Sequence, residues 1–397
     1  MDSPDMETLK TSAIKDVEAN RGQLSELALK IHSNPELGFH EVKAVDWLTQ
    51  YLEQNGFSVE RGICELPTAF KAGYGHGKPV IAIMAEYNAL PSLGHACGHN
   101  LISACAVGAG VASKLAIGRC GGTIIVIGTP AEEIHGGKAI MADRGAFDNL
   151  DVAMMVHLGQ YNSPVFYSFA AQGLEVEFFG KAAHAAAAPD AGVNALEAML
   201  QSFAGINSLR QHIRDKARIH GVITDGGEAV NVVPAHSAAD FLIRAEDDTY
   251  LDELKQKVMN CFIGAATASG ARLEYKWADI CYATMDNNPI LAQVFSQNLQ
   301  SLGREVTMPD PGKLSGSTDM GNVSQLVPSI EAVVGITSSG VSFHTSEFAS
   351  AAVSDAGING LIDGAKALAM TVVDLVSDSE IVLKIKKEFQ GVGGAKT

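Results

Sequence analysis

Two kinds of hydrophobic pattern divide the chain. Toward its start and its end, four short runs are apolar at almost every position: PVIAIMAEY (79–87), TIIVIGTP (123–130), DVAMMVHLG (151–159) and SIEAVVGIT (329–337). Runs of this length without polar alternation mark strands buried on both faces, as in parallel sheets. Helical stretches separate them. Residues 5–55 read as helix, broken at Asn34-Pro35 and stopped at Gly56; a small-residue helix starts near Asn100, and another lies near KAIMADRG. Strands alternating with helices predict an α/β fold, a mostly parallel sheet flanked by helices.

The middle of the chain differs. GLEVEFFGKAAHA (173–185) and SAADFLIRA (237–245) alternate apolar with polar positions, and two helical patterns and the strand-like GVITDGG (221–227) lie between them. Alternation suits an antiparallel sheet with one exposed face. An α+β domain is therefore expected at 170–284, inserted into a first domain made of 1–169 and 285–397. The tail QGVGGAKT reads as disordered.

Composition agrees with two domains: 397 residues, at roughly 150 per domain, are too many for one small unit. The formal net charge of −16 would repel a phosphate backbone, so nucleic acid is not an expected partner, and any anionic substrate must be held by local cations. The first twenty residues are polar and acidic, without the apolar core of a signal peptide. The longest apolar stretch, LISACAVGAGVASKLAI (101–117), carries Lys114 and falls short of the ~20 residues that span a bilayer, so it reads as a buried helix and no membrane is expected. Six scattered cysteines suggest reduced thiols and a cytoplasmic protein, in which a special cysteine would be a metal ligand or a nucleophile.

Candidate chemistry gathers at the ends of the predicted strands. The first leads into His95-Ala-Cys97-Gly-His99, the second into Glu132-Glu133, and the third ends near His157; Phe343-His344-Thr345 follows the fourth. Sites in open α/β sheets form outside the carboxyl ends of the strands, so these residues should converge. Each has a plain structural alternative when taken alone: a core cysteine, a core histidine, carboxylates at a helix start. Together they suit a metal centre, zinc by donor type, with manganese also possible. Paired glutamates suit a division of labour in which one binds metal and its neighbour takes a proton from water acidified by that metal. If two ions lie roughly 3.5–4 Å apart, Cys97 or a water would bridge them. Glu86, His95 and His135 read as supporting or structural residues, with a direct role in the site as the alternative, and Ser317-Thr318-Asp319 as a helix cap in preference to a substrate loop.

These segments resemble the metallo-aminoacylase and carboxypeptidase superfamily, in the branch of auxin-conjugate hydrolases, aminobenzoyl-glutamate hydrolases and certain dipeptidases. The resemblance runs through IHSNPELGFHE, AEYNALPSLGHACGHN, TPAEE, GKAAHAAAAPDAGVNAL, AVNVVP, GSTDMGN and FHTSEF, and GHACGHN and PAEE are its specific parts. It implies a hydrolase-like catalytic domain with two divalent metal ions, an inserted dimerisation domain, a homodimer, and cleavage of a small amide substrate that carries a carboxylate. By resemblance the ligands are Cys97, His99, Glu133, His157 and His344, and Glu132 is the general base and acid. His184 would stabilise the oxyanion from the partner subunit, and Asn231 and Arg244 would hold the substrate's carboxylate or orient its carbonyl. Asn88 departs from the branch, which usually has Asp there. Such an aspartate would orient a ligand histidine through a hydrogen bond, which Asn accepts without adding charge, so the departure bears on metal affinity or metal choice.

Three rival readings fit the same residues. The same centre would serve a hydrolytic deaminase of an aromatic amine or cut a non-peptide amide. Cys97 with His99 as nucleophile and base would make a cysteine hydrolase, although that spacing suits a dyad poorly and leaves the glutamates unused. A metal-binding protein without catalysis would have no need of the second glutamate.

Overall fold

The computed structural model describes residues 5–312 and 314–393. The chain divides into two compact units, one of residues 1–167, 285–313 and 319–397 and one of residues 168–284 and 314–318.

The first unit is built on a six-stranded sheet. Its strands are β1 (Ser58–Arg61), β2 (Phe70–His76), β3 (Val80–Glu86), β4 (Gly122–Thr129), β5 (Val152–Gly159) and, late in the chain, a strand at Ser329–Gly335. Their order is β1-β2-β4-β3-β5 followed by Ser329–Gly335, and only β2 runs against the others. The four apolar runs are the four central and mutually parallel strands. β3 is buried at every position but its first, as continuous apolar sequence requires of a strand covered on both faces.

The helix His99–Ala112 is buried at all fourteen positions. It packs on β3 and β5 and against the long helix Asp355–Ser377. Small residues bring other neighbours close: a Cβ at Gly108 would meet Leu24 of the second helical segment, and one at Gly110 would meet Val126 of β4, both within 3 Å. Residues 99–120 are long and apolar enough to cross a membrane by composition, yet 83% of their most apolar window is buried inside the protein.

Two expectations are corrected here. The first helical stretch breaks twice, at Asn20 as well as before Pro35, giving Met6–Ala19, Arg21–His32 and Val42–Gln54. Asn20 turns its side-chain amide back onto the Asp16 carbonyl, a local bond that competes with continuing the helix. At the other end the last helix, Ser379–Gly393, includes the first four residues of the tail expected to be disordered, and 394–397 lie outside the described residues.

The second unit carries a four-stranded antiparallel sheet. Its strands are β6 (Ala170–Phe179), β7 (Arg218–Asp225), β8 (His236–Ala245) and β9 (Arg272–Tyr282), in the order β7-β8-β6-β9; the strand Ser329–Gly335 of the first unit is then β10. The alternating burial of β6 and β8 matches their sequence pattern, with one face packed on the helices Ala195–Leu209 and Asp248–Ser269. Only one of these helices lies between β6 and β8. The second pattern there is a single turn, Arg210–His212, and the second helix follows β8.

Candidate active site

The carboxyl ends of β3, β4 and β5 lie side by side, because Glu86 registers with Thr129 across β3 and β4 and β5 pairs with β3. Each end carries donors. The chain leaves β3 through Asn88 and returns as the loop that holds Cys97 and starts the helix at His99. Gly98 makes that start possible. Its φ of +82° lies in the left-handed region, and a Cβ there would stand 3.4 Å from Phe348. After β4, Ala131 adopts a left-handed conformation at φ +56°, costly for a residue with a Cβ. The buried carboxylate of Glu41 accepts the Ala131 N–H at 2.8 Å and helps hold this turn, which aims Glu132 and Glu133. His344, also left-handed at φ +61°, is tied in by its own N–H, which donates to the Ala96 carbonyl at 3.0 Å. Backbone strain of this kind, of order 1–3 kcal/mol per residue, persists where the surroundings enforce it and gathers at functional sites.

Three overlapping groups of donor atoms result, each with all its atoms within 4.8 Å of one another: Cys97, His99 and His157; Cys97, Glu133 and His344; and Glu86, His99 and Glu132. Cys97 Sγ lies 3.6 Å from His157 Nε2, and His344 Nε2 lies 2.9 Å from Glu133 Oε1. All five residues proposed as ligands are thus brought together, with Glu132 beside them. His135 stands apart, its ring against Phe39, and His95 is buried with its ring 6.0 Å from that of His32.

His99 and His157 are both oriented from behind. His99 Nδ1 is 2.8 Å from the Asn88 carbonyl oxygen and His157 Nδ1 is 2.9 Å from that of Leu158, so each Nδ1–H donates outward and leaves Nε2 facing the other donors. This corrects the expectation for Asn88. The group that orients His99 is the main-chain carbonyl at 88, available whatever the side chain. The Asn88 side chain does something else, its Oδ1 accepting the Glu132 N–H at 3.0 Å.

Electrostatics set the carboxylates and the thiol apart. Burial, reinforced by Glu86 and Glu133, pushes the Glu132 carboxyl well above the usual range. Glu133 is also raised by burial, but His344 and His99 outweigh this and leave it below the usual range. Burial pushes the Cys97 thiol up, and Glu133, Glu132 and Glu86 add to the effect. A nucleophilic cysteine needs the opposite shift, which a cation at this place would supply.

The arrangement fits divalent ions. His99 Nε2 and Glu86 Oε2 are buried and have no hydrogen-bond partner among the described residues. Thiolate, imidazole and carboxylate converge in the mixture zinc accepts.

Below the donors lies an ion cluster that the sequence pattern did not disclose. Lys138, fully buried, bonds to Glu86 Oε1 and, at 2.6 Å, to Asp319 Oδ1. Asp319 Oδ2 also accepts the Lys138 N–H at 2.7 Å. Asp319 therefore stands before the helix Met320–Ser324 without capping it by its side chain, contrary to expectation. Gly137 lets this backbone approach, since a Cβ there would sit 1.8 Å from the Pro130 carbonyl. Removing one partner of a buried ion pair strands the other charge, so Lys138→Met should cost about 3–5 kcal/mol of stability. A denaturant titration checks this, and an unchanged midpoint would refute it.

The remaining predicted residues belong to the second unit. His184 is exposed, and its Nδ1 accepts the N–H groups of Ala186 and Ala187 at 3.2 and 3.1 Å. Both contacts place the ring proton on Nε2. Asn231 lies close by in the chain path: its carbonyl accepts the Ala185 N–H at 3.0 Å, and Val232 bridges to His184. Arg244, on β8 opposite Ala171 and Arg218, is half-buried, and its Nε has no partner among the described residues.

Residues 168–265 match the peptidase dimerisation domain of the M20 family. Over 402 residues the chain is 35% identical to the Xaa-Arg dipeptidase of Mus musculus, covering 97% of this chain and 93% of that protein. It is 34% identical over 410 residues to the Xaa-Arg dipeptidase of Homo sapiens, again with 97% and 93% covered. A dinuclear metal-binding peptidase of the M20 family from Bacillus subtilis superposes with a TM-score of 0.71 at 19% identity, covering 90% of this chain and 99% of that one. Full-length similarity to hydrolases of amide bonds, the matched domain and the converging donors together make this chain a member of the M20 family of metal-dependent peptidases and amidohydrolases.

Proposed function

We propose that this enzyme is a dimeric, cytoplasmic hydrolase of the amide bond in a small N-acyl amino acid or dipeptide. Cys97, His99, Glu133, His157 and His344 would hold two divalent cations, zinc or manganese, and Glu132 would act as general base. The convergence of these donors around one adjacent glutamate supports the reading most directly. When bound, such cations would supply Lewis acidity and would lower the pKa of the attacking water. Glu132 takes that water's proton and returns it to the leaving nitrogen. The Nε2–H of His184, fixed by the two backbone donors on Nδ1, donates to the oxyanion that forms as the carbonyl carbon becomes tetrahedral. Arg244 and Asn231 would receive the substrate's carboxylate; a guanidinium whose Nε is unpaired suits a bidentate carboxylate.

The net charge of −16 favours a substrate carrying a cation over one carrying extra negative charge. A dipeptide with a C-terminal basic residue fits better on this count than a glutamate conjugate, in line with what the name of the mouse relative states. The test is metal analysis of the purified protein, followed by Xaa-Arg and Xaa-Lys dipeptides, N-acyl amino acids and p-aminobenzoyl-glutamate assayed with zinc and with manganese. Cleavage of none of these by metal-loaded protein would refute the assignment.

His184→Ala should lower kcat roughly 10²–10³-fold, the usual loss for one oxyanion donor, with metal content unchanged. If the histidine acts across a dimer, mixing the impaired His184→Ala and Glu132→Gln protomers should restore activity, because one site of the hybrid has both groups intact. No recovery on protomer exchange would count against the trans role.

A further inference from the structure

The sequence reads Glu86 first as a supporting or structural residue, yet it sits among the donors. It ends β3, is 1% exposed, and divides its carboxylate between two tasks. Oε1 is bound by Lys138, which Asp319 holds from the far side. Oε2 has no hydrogen-bond partner among the described residues and stands 3.5 Å from His99 Nε2, which is itself 3.8 Å from Glu132 Oε2. With the His99 proton on Nδ1, the lone pairs of His99 Nε2 and Glu86 Oε2 face each other in a buried space, an arrangement that a cation between them would relieve.

We infer that Glu86 is an additional metal ligand, its Oε2 directed by the Lys138–Asp319 pair toward the ion that His99 holds. This rests on the dinuclear centre proposed above. Lys138 occupies Oε1 and so fixes the carboxylate's rotation, leaving a single oxygen for the metal.

The test uses the full-length protein, with zinc binding measured in buffered free-metal series and the visible spectrum recorded after loading with cobalt(II). Wild type should bind two ions. Glu86→Gln keeps the shape of the side chain and should weaken one ion at least tenfold, leave the other unchanged, and alter the cobalt bands of the weakened site. In the double variant Glu86→Gln/Lys138→Met that weakening should persist. Recovery of both affinities in the double variant would show that Glu86 merely neutralises Lys138, and would overturn the inference. So would two ions of wild-type affinity with an unchanged cobalt spectrum in Glu86→Gln. Should Glu86→Gln fail to fold, Glu86→Asp withdraws the oxygen by one methylene while keeping the charge, and unchanged binding there would equally overturn it. A wild-type protein that binds no ion would instead refute the dinuclear centre itself.

Discussion

Glu132→Gln should reduce kcat by roughly 10²–10⁴-fold while bound metal, KM and thermal stability stay near those of wild type. The substitution keeps the side chain's volume and leaves untouched the main-chain N–H that Asn88 Oδ1 accepts, so the turn after β4 need not move. What it removes is the ability to take a proton. Burial, with Glu86 and Glu133 beside it, raises the Glu132 carboxyl well above the usual carboxylate range, the direction a general base needs. Its neighbour behaves differently. Glu133, held below the usual range by His344 and His99, is better suited to stay ionised and bind metal. Glu133→Gln should therefore lose metal together with activity. The pair of variants separates the two roles by metal content alone. Near wild-type turnover in Glu132→Gln would remove it from the mechanism, and full metal retention in Glu133→Gln would remove the ligand role.

Much of this centre was legible because its donors lie in short local motifs at the ends of strongly apolar strands. β3, β4, β5 and β10 are buried on both faces, so their sequence carries the signal without help from context. β1 and β2 left no such trace. SVER is exposed at three of four positions, and FKAGYGH carries two glycines and ends exposed. β9 is a largely exposed edge strand and equally quiet. The ion cluster was hidden for another reason. Lys138 meets Glu86 across 52 residues and Asp319 across 181, and no periodicity links such positions. The one available signal was a lysine inside the apolar stretch GGKAIMA, a charge that had to be paired if that helix was buried. Asn88 shows the opposite failure, in which a side chain was credited with a bond that its own main chain makes.

Removing the metal should abolish activity and also lower the melting temperature, with both restored by zinc or manganese. Loss of activity follows from losing the Lewis acid. The stability effect follows from charge. Without cations, the buried carboxylates and Cys97 face one another with Lys138 as the buried counter-ion, and repulsion must be relieved by proton uptake or by opening of the site. Ions that bind the folded chain and not the unfolded one stabilise it by RT ln(1 + [L]/Kd), about 2.7 kcal/mol for each site at one hundred times Kd. Calorimetric melts with and without chelator, followed by add-back, measure this directly. The shift should be smaller in Glu86→Gln than in wild type, because the variant carries one negative charge fewer when stripped and holds one ion less tightly when loaded. Activity that survives complete chelation would eliminate the metal mechanism. An unchanged melt would mean that no ion binds the folded chain in preference to the unfolded one.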